Sequence, residues 1–401
     1  MPATANRPFC WMLTFAFVAS VTRSATAAPD ASFGPDAASG PPVPVAAPRP
    51  ERILSPEVGA DRRVTFRLRA PKATRVTVER LSFVPKAAAP LVLSKDAAGV
   101  WSATVGPVDP GIYEYNFNVD GLQIVDPNNH WIQPQQDPRA SVVEVPGEPA
   151  LNTQWKDVPH GSLHIHHYKA TALAGRPRRV HVYTPPGYET RAGGKLPVLY
   201  LLHGSGDNDA TWSVHGRAHF LLDNLIADKK AKPMIVVMTD GHAVPRALPG
   251  TPPNTPRPDN TKAYTEELLK DVMPLIERLY RVRGDSAARA IVGLSMGGRQ
   301  ALQIGLSQPE RFAWVAGMSS SIPPDDTISA ALESPKNVNK RLKWLWVGCG
   351  QEDGAFVRNQ EFAAKLDDRG ITHVFRATPG GHNWPLWRTY LEEIVPQLFA
   401  R

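Results

Sequence analysis

Two hydrophobic patterns divide the chain. Between residues 51 and 146, apolar and polar residues alternate in short runs that end at Gly, Pro or Asp. Such alternation is typical of antiparallel strands. Strands at roughly ten-residue spacing predict a β-sandwich of immunoglobulin-like size over residues 51–146. The runs that carry this pattern are RRVTFRLRAP (62–71), TRVTVERLSF (74–83), GVWSATVG (99–106) and GIYEYNFNVDG (111–121).

From about residue 175 the pattern changes to strands that alternate with helices. Apolar runs such as LPVLYLLHG (196–204) are typical of strands buried on both faces. Amphipathic segments separate them, including AHFLLDNLIAD (218–228) and TEELLKDVMPLIERLY (265–280). Repeated β–α alternation predicts a mostly parallel sheet covered on both faces, and hence an α/β fold for residues 150–401. In the second helix the residues expected on one apolar stripe are Leu268, Leu269, Val272, Leu275, Ile276 and Leu279.

Six more strands and three more helices complete this part of the prediction. The strands are RRVHVYT (178–184), PMIVVMTDG (233–241), FAWVAGMSS (312–320), LKWLWVGCG (342–350) and THVFRATPG (372–380), and ARAIVGLS (288–295) lies among them. The helices begin at Met296 and span about 356–366 and 387–398.

The first 28 residues have the organisation of a signal peptide. Arg7 precedes the apolar run CWMLTFAFVASV (10–21), and small residues before Ala28 offer a cleavage site. Twelve apolar residues are too few to span a bilayer. We therefore predict a secreted or periplasmic protein without stable membrane insertion. Residues 29–50 are rich in Pro and Ala and predict an extended linker.

Charge and cysteine content argue against a nucleic-acid-binding protein and against a fold held by disulfides. The formal net charge is +7, and the basic residues are scattered rather than clustered, so we expect no nucleic-acid partner. The chain contains two cysteines, Cys10 and Cys349. After signal cleavage only Cys349 remains, so the fold is expected to be stable without an intramolecular disulfide.

The segment AIVGLSMGGRQA (290–301) places Ser295 between two glycines, directly after an apolar strand. A tight turn alone could explain Gly and Ser at these positions. In a G-x-S-x-G nucleophile elbow, however, the chain leaves a strand, turns sharply at the serine and enters a helix. The strand before Ser295 and the helical pattern after it favour the elbow, and Ser295 is our candidate nucleophile.

A serine nucleophile needs a base, and the base needs an orienting acid. In α/β-hydrolases the chain order is serine, acid, histidine. Asp353 follows a buried strand, and we favour it over its neighbour Glu352, although Asp353 could instead cap the next helix. His382 follows the last strand after two glycines. We favour it over His373, which belongs to the strand itself.

The tetrahedral intermediate of ester hydrolysis requires hydrogen-bond donors. One expected donor is the backbone amide of Met296, which follows the nucleophile. The other is the amide of Ser205, on the loop after the strand that ends at His203-Gly204. We interpret His203 itself as a structural residue.

Several blocks in order resemble the esterase D-type α/β-hydrolases, and more narrowly carbohydrate esterase family 1, which contains feruloyl and acetylxylan esterases. These blocks are RRVHVYTPPGYE, LPVLYLLHGSGD, IVVMTDGHA, VMPLIERLYRV, IVGLSMGGRQAL and GGHNWPLWR. The resemblance covers residues 150–400. It implies a serine esterase without a cofactor, with Ser295, Asp353 and His382 as the triad and the Ser205 and Met296 amides as the oxyanion hole. The implied substrate is a plant cell-wall polysaccharide ester.

Two alternatives remain within the hydrolases, namely an acetylxylan esterase and a siderophore esterase of the enterobactin type. A third alternative is a non-catalytic carbohydrate-binding protein. The presence of Ser295, Asp353 and His382 together argues against the last one.

The segment GVWSATVGPVDPGIYEYNFNVDGLQIVDPNN (99–129) is similar to carbohydrate-binding module family 48. The resemblance implies a sugar-binding function for residues 51–146. Aromatic residues in sandwich strands are also ordinary core residues, so two interpretations of them stay open. The residues concerned are Trp101, Tyr113, Tyr115 and Phe117.

Two weaker signals complete the candidate sites. His164 and His166 share one face of a predicted strand, but no carboxylate or cysteine lies near them, so we predict no metal site there. Trp384 and Trp387 flank His382. Trp384 is expected to wall the acyl pocket and contact an aromatic acid such as ferulate, with ordinary core packing as the alternative.

Overall fold

A computed structural model describes residues 52–81, 90–190, 193–247 and 258–400, together with Pro252 and Thr255. The predicted signal peptide and linker, residues 1–50, lie outside the described residues. Within the described ranges, no helix combines the length and apolarity needed to cross a bilayer. Residues 52–401 form one compact unit.

Two antiparallel sheets lie in the described part of residues 52–145, which we call the leading β region. One sheet has the order β1-β2-β6-β5 and the other β4-β3-β7-β8, with β9 paired to β7. The four predicted strands are confirmed as β2, β3, β6 and β7, while the immunoglobulin-like class of the region stays a prediction. The strands are β1 (Glu57–Val58), β2 (Val64–Arg69), β3 (Val76–Glu79), β4 (Leu91–Val92), β5 (Ser94–Lys95), β6 (Val100–Val105), β7 (Gly111–Val119), β8 (Leu122–Ile124) and β9 (Ser141–Val145).

The aromatic residues of the leading β region lie in its core. Trp101, Tyr113, Tyr115 and Phe117 are all buried, and they pack with apolar residues from both sheets. Their rings are therefore covered by protein and cannot stack on a sugar. A sugar-binding function for residues 51–146 would need other residues and stays a prediction.

The remaining strands form one eight-stranded mixed sheet in what we call the esterase region, residues 150–400. Its order is β10-β11-β13-β12-β14-β15-β16-β17. The pairs β10–β11 and β11–β13 are antiparallel and all others are parallel, so the mostly parallel sheet is confirmed. The strands are β10 (Ser162–Ala170), β11 (Arg176–Thr184), β12 (Val198–Leu202), β13 (Ile235–Thr239), β14 (Arg289–Leu294), β15 (Trp314–Met318), β16 (Trp344–Gly350) and β17 (Val374–Thr378).

Helices cover both faces of this sheet. Because side chains alternate along a strand, β12 sends Val198, Tyr200 and Leu202 into one core and Leu199 and Leu201 into the other. This two-sided burial explains the unbroken apolar runs of the sequence. The helices are α1 (Thr211–Val214), α2 (Ala218–Ala227), α3 (Asn260–Glu267), α4 (Met273–Leu279), α5 (Ser295–Ser307), α6 (Ser329–Glu333), α7 (Pro335–Arg341), α8 (Phe356–Asp368) and α9 (Trp384–Ile394).

The predicted apolar stripe of residues 265–280 is wrong at its end. A π-helical turn, Leu268–Val272, joins α3 to α4. Its wider turn changes which later residues face the sheet. Met273 is consequently buried, whereas Leu279 is 46% exposed.

Candidate active site

The chain turns sharply between β14 and α5, and Ser295 occupies the turn. Its φ of 52° lies in the left-handed region, which is unusual for a residue with a side chain. A Cβ on Gly293 would lie 2.2 Å from the Gly297 carbonyl oxygen, and a Cβ on Gly297 would lie 2.4 Å from the His203 carbonyl oxygen. Both positions therefore require glycine. This is the strand–turn–helix geometry that the sequence predicts.

Ser295, His382 and Asp353 are brought together although they lie on three separate segments. His382 Nε2 lies 3.1 Å from Ser295 Oγ, and His382 Nδ1 lies 2.8 Å from Asp353 Oδ2. The Asp353 side chain is buried, whereas that of His382 is 43% exposed. A base between a hydroxyl and a buried carboxylate can accept the hydroxyl proton while the carboxylate holds the ring.

The Asp353 carboxylate has the electrostatics expected of such an orienting group. Burial acts to raise its pKa. Hydrogen bonds from His382 and from the Ala355 amide outweigh burial, so the pKa lies below its ordinary value. The carboxylate therefore stays ionised at neutral pH and can stabilise a positive charge on the imidazole.

The two competing residues have other contacts. The Glu352 carboxylate is exposed and accepts a hydrogen bond from the Gly380 amide, so it holds the loop that carries His382. The same loop packs closely on β16, because a Cβ on Gly350 would lie 1.9 Å from the Gly380 carbonyl oxygen. His373 precedes β17, and its Nδ1 lies 3.0 Å from the carbonyl oxygen two residues earlier.

The start of α9 supports His382. The ring of Trp387 meets the imidazole edge-to-face at a centroid distance of 4.9 Å. Its Nε1 donates to Ser319 Oγ at 3.1 Å, which fixes the indole. Asn383 caps the helix by accepting from the Leu386 amide at 3.2 Å. The orientation of His382 is thus set by packing as well as by Asp353.

Both residues that are predicted to supply oxyanion donors lie beside Ser295. Met296 belongs to the first turn of α5, where backbone amides have no partner within the helix. Ser205 follows β12, and its neighbour Gly204 packs against Ser295, since a Cβ on Gly204 would lie 3.5 Å from Ser295 Cβ. Ser205 and Met296 line one common cavity. Their role as donors stays a prediction.

Two histidines hold the loop that carries Ser205. His203 Nδ1 lies 2.8 Å from the Gly204 carbonyl oxygen, and the Gly206 amide donates to His242 Nε2 at 3.2 Å. The peptide groups on both sides of Ser205 are therefore fixed. His203 is buried, in agreement with a structural role.

Together with Asp240, the same two histidines form a cluster of side chains that could bind a metal ion. Possible ligand atoms of His203, Asp240 and His242 lie within 4.8 Å of one another. His203 Nε2 accepts from the Gly241 amide at 2.9 Å, and His242 Nδ1 lies 3.0 Å from Asp240 Oδ1. Internal hydrogen bonds thus already use these atoms, and the group is explained as a network that supports the Ser205 loop.

His164 and His166 stack at a centroid distance of 6.4 Å on β10. His164 Nε2 lies 3.1 Å from Thr184 Oγ1, and His166 Nε2 lies 2.5 Å from the Tyr280 hydroxyl. Both rings therefore have structural partners.

A cavity of about 220 Å³, which we call the tryptophan cavity, opens at Ser295 and His382. Trp384 forms part of its wall. Only 3% of Trp384 is exposed, and its ring packs edge-to-face on Trp212 at 5.0 Å. Trp384 is therefore both a cavity wall and a core residue, so the two interpretations of the sequence are compatible.

Residues of the leading β region also line the tryptophan cavity. With its amide oxygen toward the indole, Gln133 accepts from Trp384 Nε1 at 3.2 Å and donates to the Glu114 carboxylate at 3.2 Å. Glu114 lies 3.2 Å from His215 Nε2. Sequence reasoning missed Glu114 and Gln133. The available signal was a charged residue, Glu114, between two aromatic residues of an apolar strand.

A buried cation completes this contact between the regions. Arg388 of α9 is 5% exposed, and its Nη1 donates to the Ile112 carbonyl oxygen at 2.9 Å. Burial lowers its pKa to about 9, which leaves it charged at neutral pH. Burial lowers the pKa of His215 to about 4, so that ring is neutral. Glu114 consequently provides the nearby negative charge.

The fold is that of an α/β-hydrolase. Residues 171–398 match the protein family described as "Putative esterase". The match covers more than half of the chain, and the chain therefore belongs to this esterase family.

A curated relative is the endo-1,4-beta-xylanase/feruloyl esterase of Xylanibacter ruminicola. It is 31% identical over 358 residues, which cover 86% of this chain and 46% of the relative. The chain spans about half the length of the first curated relatives it matches. The similarity to carbohydrate esterase family 1 is confirmed at the level of feruloyl esterase homologues.

Solved structures support the same fold. A ferulic acid esterase has 27% identity and a TM-score of 0.51 over 60% of this chain and 99% of that chain. The enterobactin esterase of Shigella flexneri has 22% identity and a TM-score of 0.60 over 84% of this chain and 92% of that chain. The second match shows the fold alone, and it covers more than the esterase region by itself could supply.

Proposed function

We propose that the protein is a secreted or periplasmic serine esterase of the feruloyl type that acts on plant cell-wall polysaccharide esters. The observation that carries the mechanism is the hydrogen-bonded series Ser295–His382–Asp353 at a strained elbow. The observation that favours an aromatic acyl group is the indole wall beside this series.

The geometry supports a two-step reaction. His382 Nε2 takes the proton of Ser295 Oγ as the oxygen attacks the ester carbonyl carbon. The amides of Ser205 and Met296 stabilise the resulting oxyanion. The protonated imidazole, balanced by Asp353, then gives its proton to the leaving alcohol. Water attacks the acyl-enzyme by the same route and releases the acid.

The substrate class follows from the cavity and from the relatives. The tryptophan cavity is small, and Trp384 lines it together with Ser295. Aromatic side chains favour stacked or edge-to-face contact with another ring, which acetate does not offer. The name of the Xylanibacter ruminicola relative includes feruloyl esterase, which is consistent with this choice.

The direct test is turnover measured side by side on methyl ferulate, acetylated xylan and enterobactin. We expect methyl ferulate to have the highest kcat/KM. Ser295→Ala should fold normally, lose several orders of magnitude in turnover and resist labelling by a fluorophosphonate. Activity of this variant near the wild-type level would refute the nucleophile. Absence of turnover on p-nitrophenyl acetate in the wild type would favour the non-catalytic carbohydrate-binding protein.

A siderophore esterase of the enterobactin type is the second candidate. It is favoured by the fold match that extends into the leading β region, together with the contribution of Gln133 and Glu114 to the cavity. Higher kcat/KM on enterobactin than on methyl ferulate would select it, and fastest turnover of acetylated xylan would select an acetylxylan esterase.

The location and the sugar-binding function are also proposals. The signal-like residues 1–28 support export, and cell fractionation with detection of the mature N-terminus tests it. Sugar binding by residues 51–146 is supported by the resemblance to a carbohydrate-binding module. Retention of Ser295→Ala on insoluble xylan, compared with its retention on a matrix that contains no polysaccharide, tests that function.

A further inference from the structure

Arg299 is a cation without a described partner on the helix of the nucleophile. It lies in α5, three residues after Met296, so the two side chains are neighbours on the helix surface. Its side chain is half-buried, and its Nε is buried without a hydrogen-bond partner in the described part of the chain. A buried guanidinium N–H without an acceptor is unfavourable, so such a group calls for an explanation.

A second cavity surrounds Arg299. It has a volume of about 720 Å³, and we call it the arginine cavity. Ser205 and Met296 line it together with Arg299. Because these two residues carry the predicted oxyanion donors, a group that fills the arginine cavity lies next to the reacting ester carbonyl.

The other charged side chains of this wall have polar partners within the protein. Arg246 forms an ion pair with Asp137 of the leading β region. Asp259 caps α3, where its Oδ1 accepts hydrogen bonds from the Thr261 and Lys262 amides. Among the described residues that line the cavity, Arg299 is thus the cation for which no ion pair is seen.

We propose that Arg299 binds a carboxylate of the ester substrate. A guanidinium offers a planar pair of donors that matches a carboxylate, and Arg299 lines the arginine cavity. The corresponding substrate class is an ester with a carboxylate on its alcohol half or on its acyl half. A hexuronate unit of an acidic polysaccharide is one alcohol of this kind. The inference rests on the proposed esterase function and narrows its substrates.

Two pairs of small esters test the proposal. In the first pair, 4-acetoxybenzoate and its methyl ester, the carboxylate is on the alcohol half. In the second pair, mono(4-nitrophenyl) succinate and its methyl ester, the carboxylate is on the acyl half. For each pair the measured quantity is the ratio of kcat/KM for the anionic ester to that for the neutral ester, which cancels general losses of activity.

We expect Arg299→Gln to lower this ratio at least tenfold for one pair, and that pair identifies the half that carries the carboxylate. Arg299→Lys should retain part of the ratio, because it keeps the charge but not the planar donors. Arg311→Gln is the matched control, since Arg311 is an exposed arginine that follows α5 and does not line the cavity. Its ratios should equal those of the wild type.

Unchanged ratios for both pairs in Arg299→Gln would overturn the proposal. Turnover of the neutral esters reports whether each variant is folded. If the neutral esters are hydrolysed in a Ser295-dependent way while the ratios do not change, only the carboxylate site fails. If hydrolysis of the neutral esters does not depend on Ser295, the proposed function itself fails.

Discussion

The leading β region and the esterase region differ in how they contribute to the site. The esterase region places Ser295, Asp353 and His382 on turns at the ends of strands and close to one another. The leading β region supplies none of these three groups, yet Gln133 and Glu114 reach the cavity beside the nucleophile. A region that resembles a separate module is therefore also a structural part of the pocket.

The contact between the regions is polar and buried rather than loosely apolar. Arg388 of the esterase region donates hydrogen bonds to the carbonyl oxygens of Ile112 and His215, and the negative charge of Glu114 stabilises its positive charge. A buried charge is stable only while its polar partners remain, because they compensate for its lost hydration. The comparison therefore predicts that a substitution at this contact destabilises both regions, whereas a substitution at the strand ends changes activity without destabilising the fold.

The largest local effect is expected at the acid. Asp353→Asn should lower kcat by about four orders of magnitude without loss of folding, because the carboxylate fixes the imidazole and stabilises its charge. Glu352→Gln is the matched control and should cost far less, since Glu352 contacts the Gly380 amide and not His382. Esterase rates with circular dichroism as a folding check decide it. A greater loss in Glu352→Gln would exchange the two roles.

The largest effect between regions is expected at Glu114. Glu114→Gln should lower the free energy of unfolding by about 1–3 kcal/mol, since it removes the charged partner of buried His215 and a negative charge that stabilises buried Arg388. Urea unfolding should show one cooperative transition, with the leading β region and the esterase region losing structure together. Two transitions, with esterase activity retained in the first, would contradict the coupling.

The matched control is Glu144→Gln. Glu144 also joins the two regions, through Arg217 at 3.3 Å, but both side chains are partly exposed. Exposed ion pairs contribute about 0–1 kcal/mol, so the stability of this variant should remain close to that of the wild type.

Because the contact between the regions is buried, a chain that begins at residue 150 should lose folding as well as activity. This result would make the leading β region structurally integral.

Asp207 provides a pH test at the place where the regions meet. It is 5% exposed, and Gln135 Nε2 donates to its Oδ1 at 3.4 Å, which is a long hydrogen bond. Burial raises the pKa of Asp207 to about 6, whereas the pKa of an aspartate in the unfolded chain is about 3.9. The folded state therefore binds the proton more tightly, and stability should fall as pH rises from about 4 to about 6.

The measurement is the free energy of unfolding of wild type and Asp207→Asn as a function of pH. The advantage of the variant should grow by about 3 kcal/mol between pH 4 and pH 7, because asparagine does not titrate. A difference that is constant over this range would show that Asp207 stays ionised in the folded protein.

The smallest expected effect concerns the acyl wall. Trp384→Ala should lower kcat/KM for methyl ferulate at least tenfold more than for p-nitrophenyl acetate, since loss of the wall removes about 1–3 kcal/mol of contact with an aromatic acyl group. Trp212→Phe is the control, because Trp212 lies behind Trp384 in the same core and does not line the cavity. It should leave the ratio of the two substrates unchanged. Equal losses on both substrates in Trp384→Ala would make Trp384 a core residue only.

The sequence predicted the parts of the site that depend on local order along the chain. The elbow at Ser295 is visible because its glycines, strand and helix are contiguous. Asp353 and His382 follow strands of a parallel sheet, whose carboxyl ends meet at one edge, so their proximity could be expected. Asp353 and Glu352 are adjacent in the sequence, so local order does not separate them. In the structure Asp353 points toward His382, whereas Glu352 points toward the Gly380 amide.

The sequence did not predict contacts between distant segments. Gln133, Glu114 and Arg388 each look like ordinary surface polar residues in their local patterns. Their environment is created by packing of the two regions, and no spacing rule relates them. The exposed end of α4 has a similar origin, since a π turn is a local change of helical register that apolar periodicity does not reveal.

The hydrogen bond between Arg388 and Ile112 joins positions 276 residues apart. Closing so long a loop is entropically costly, and contacts of this kind form late when a chain folds. We therefore expect the pocket to form late during refolding, after the strands and helices. Recovery of activity from denaturant should therefore lag behind the return of secondary structure, and partly folded chains should be unable to cleave esters.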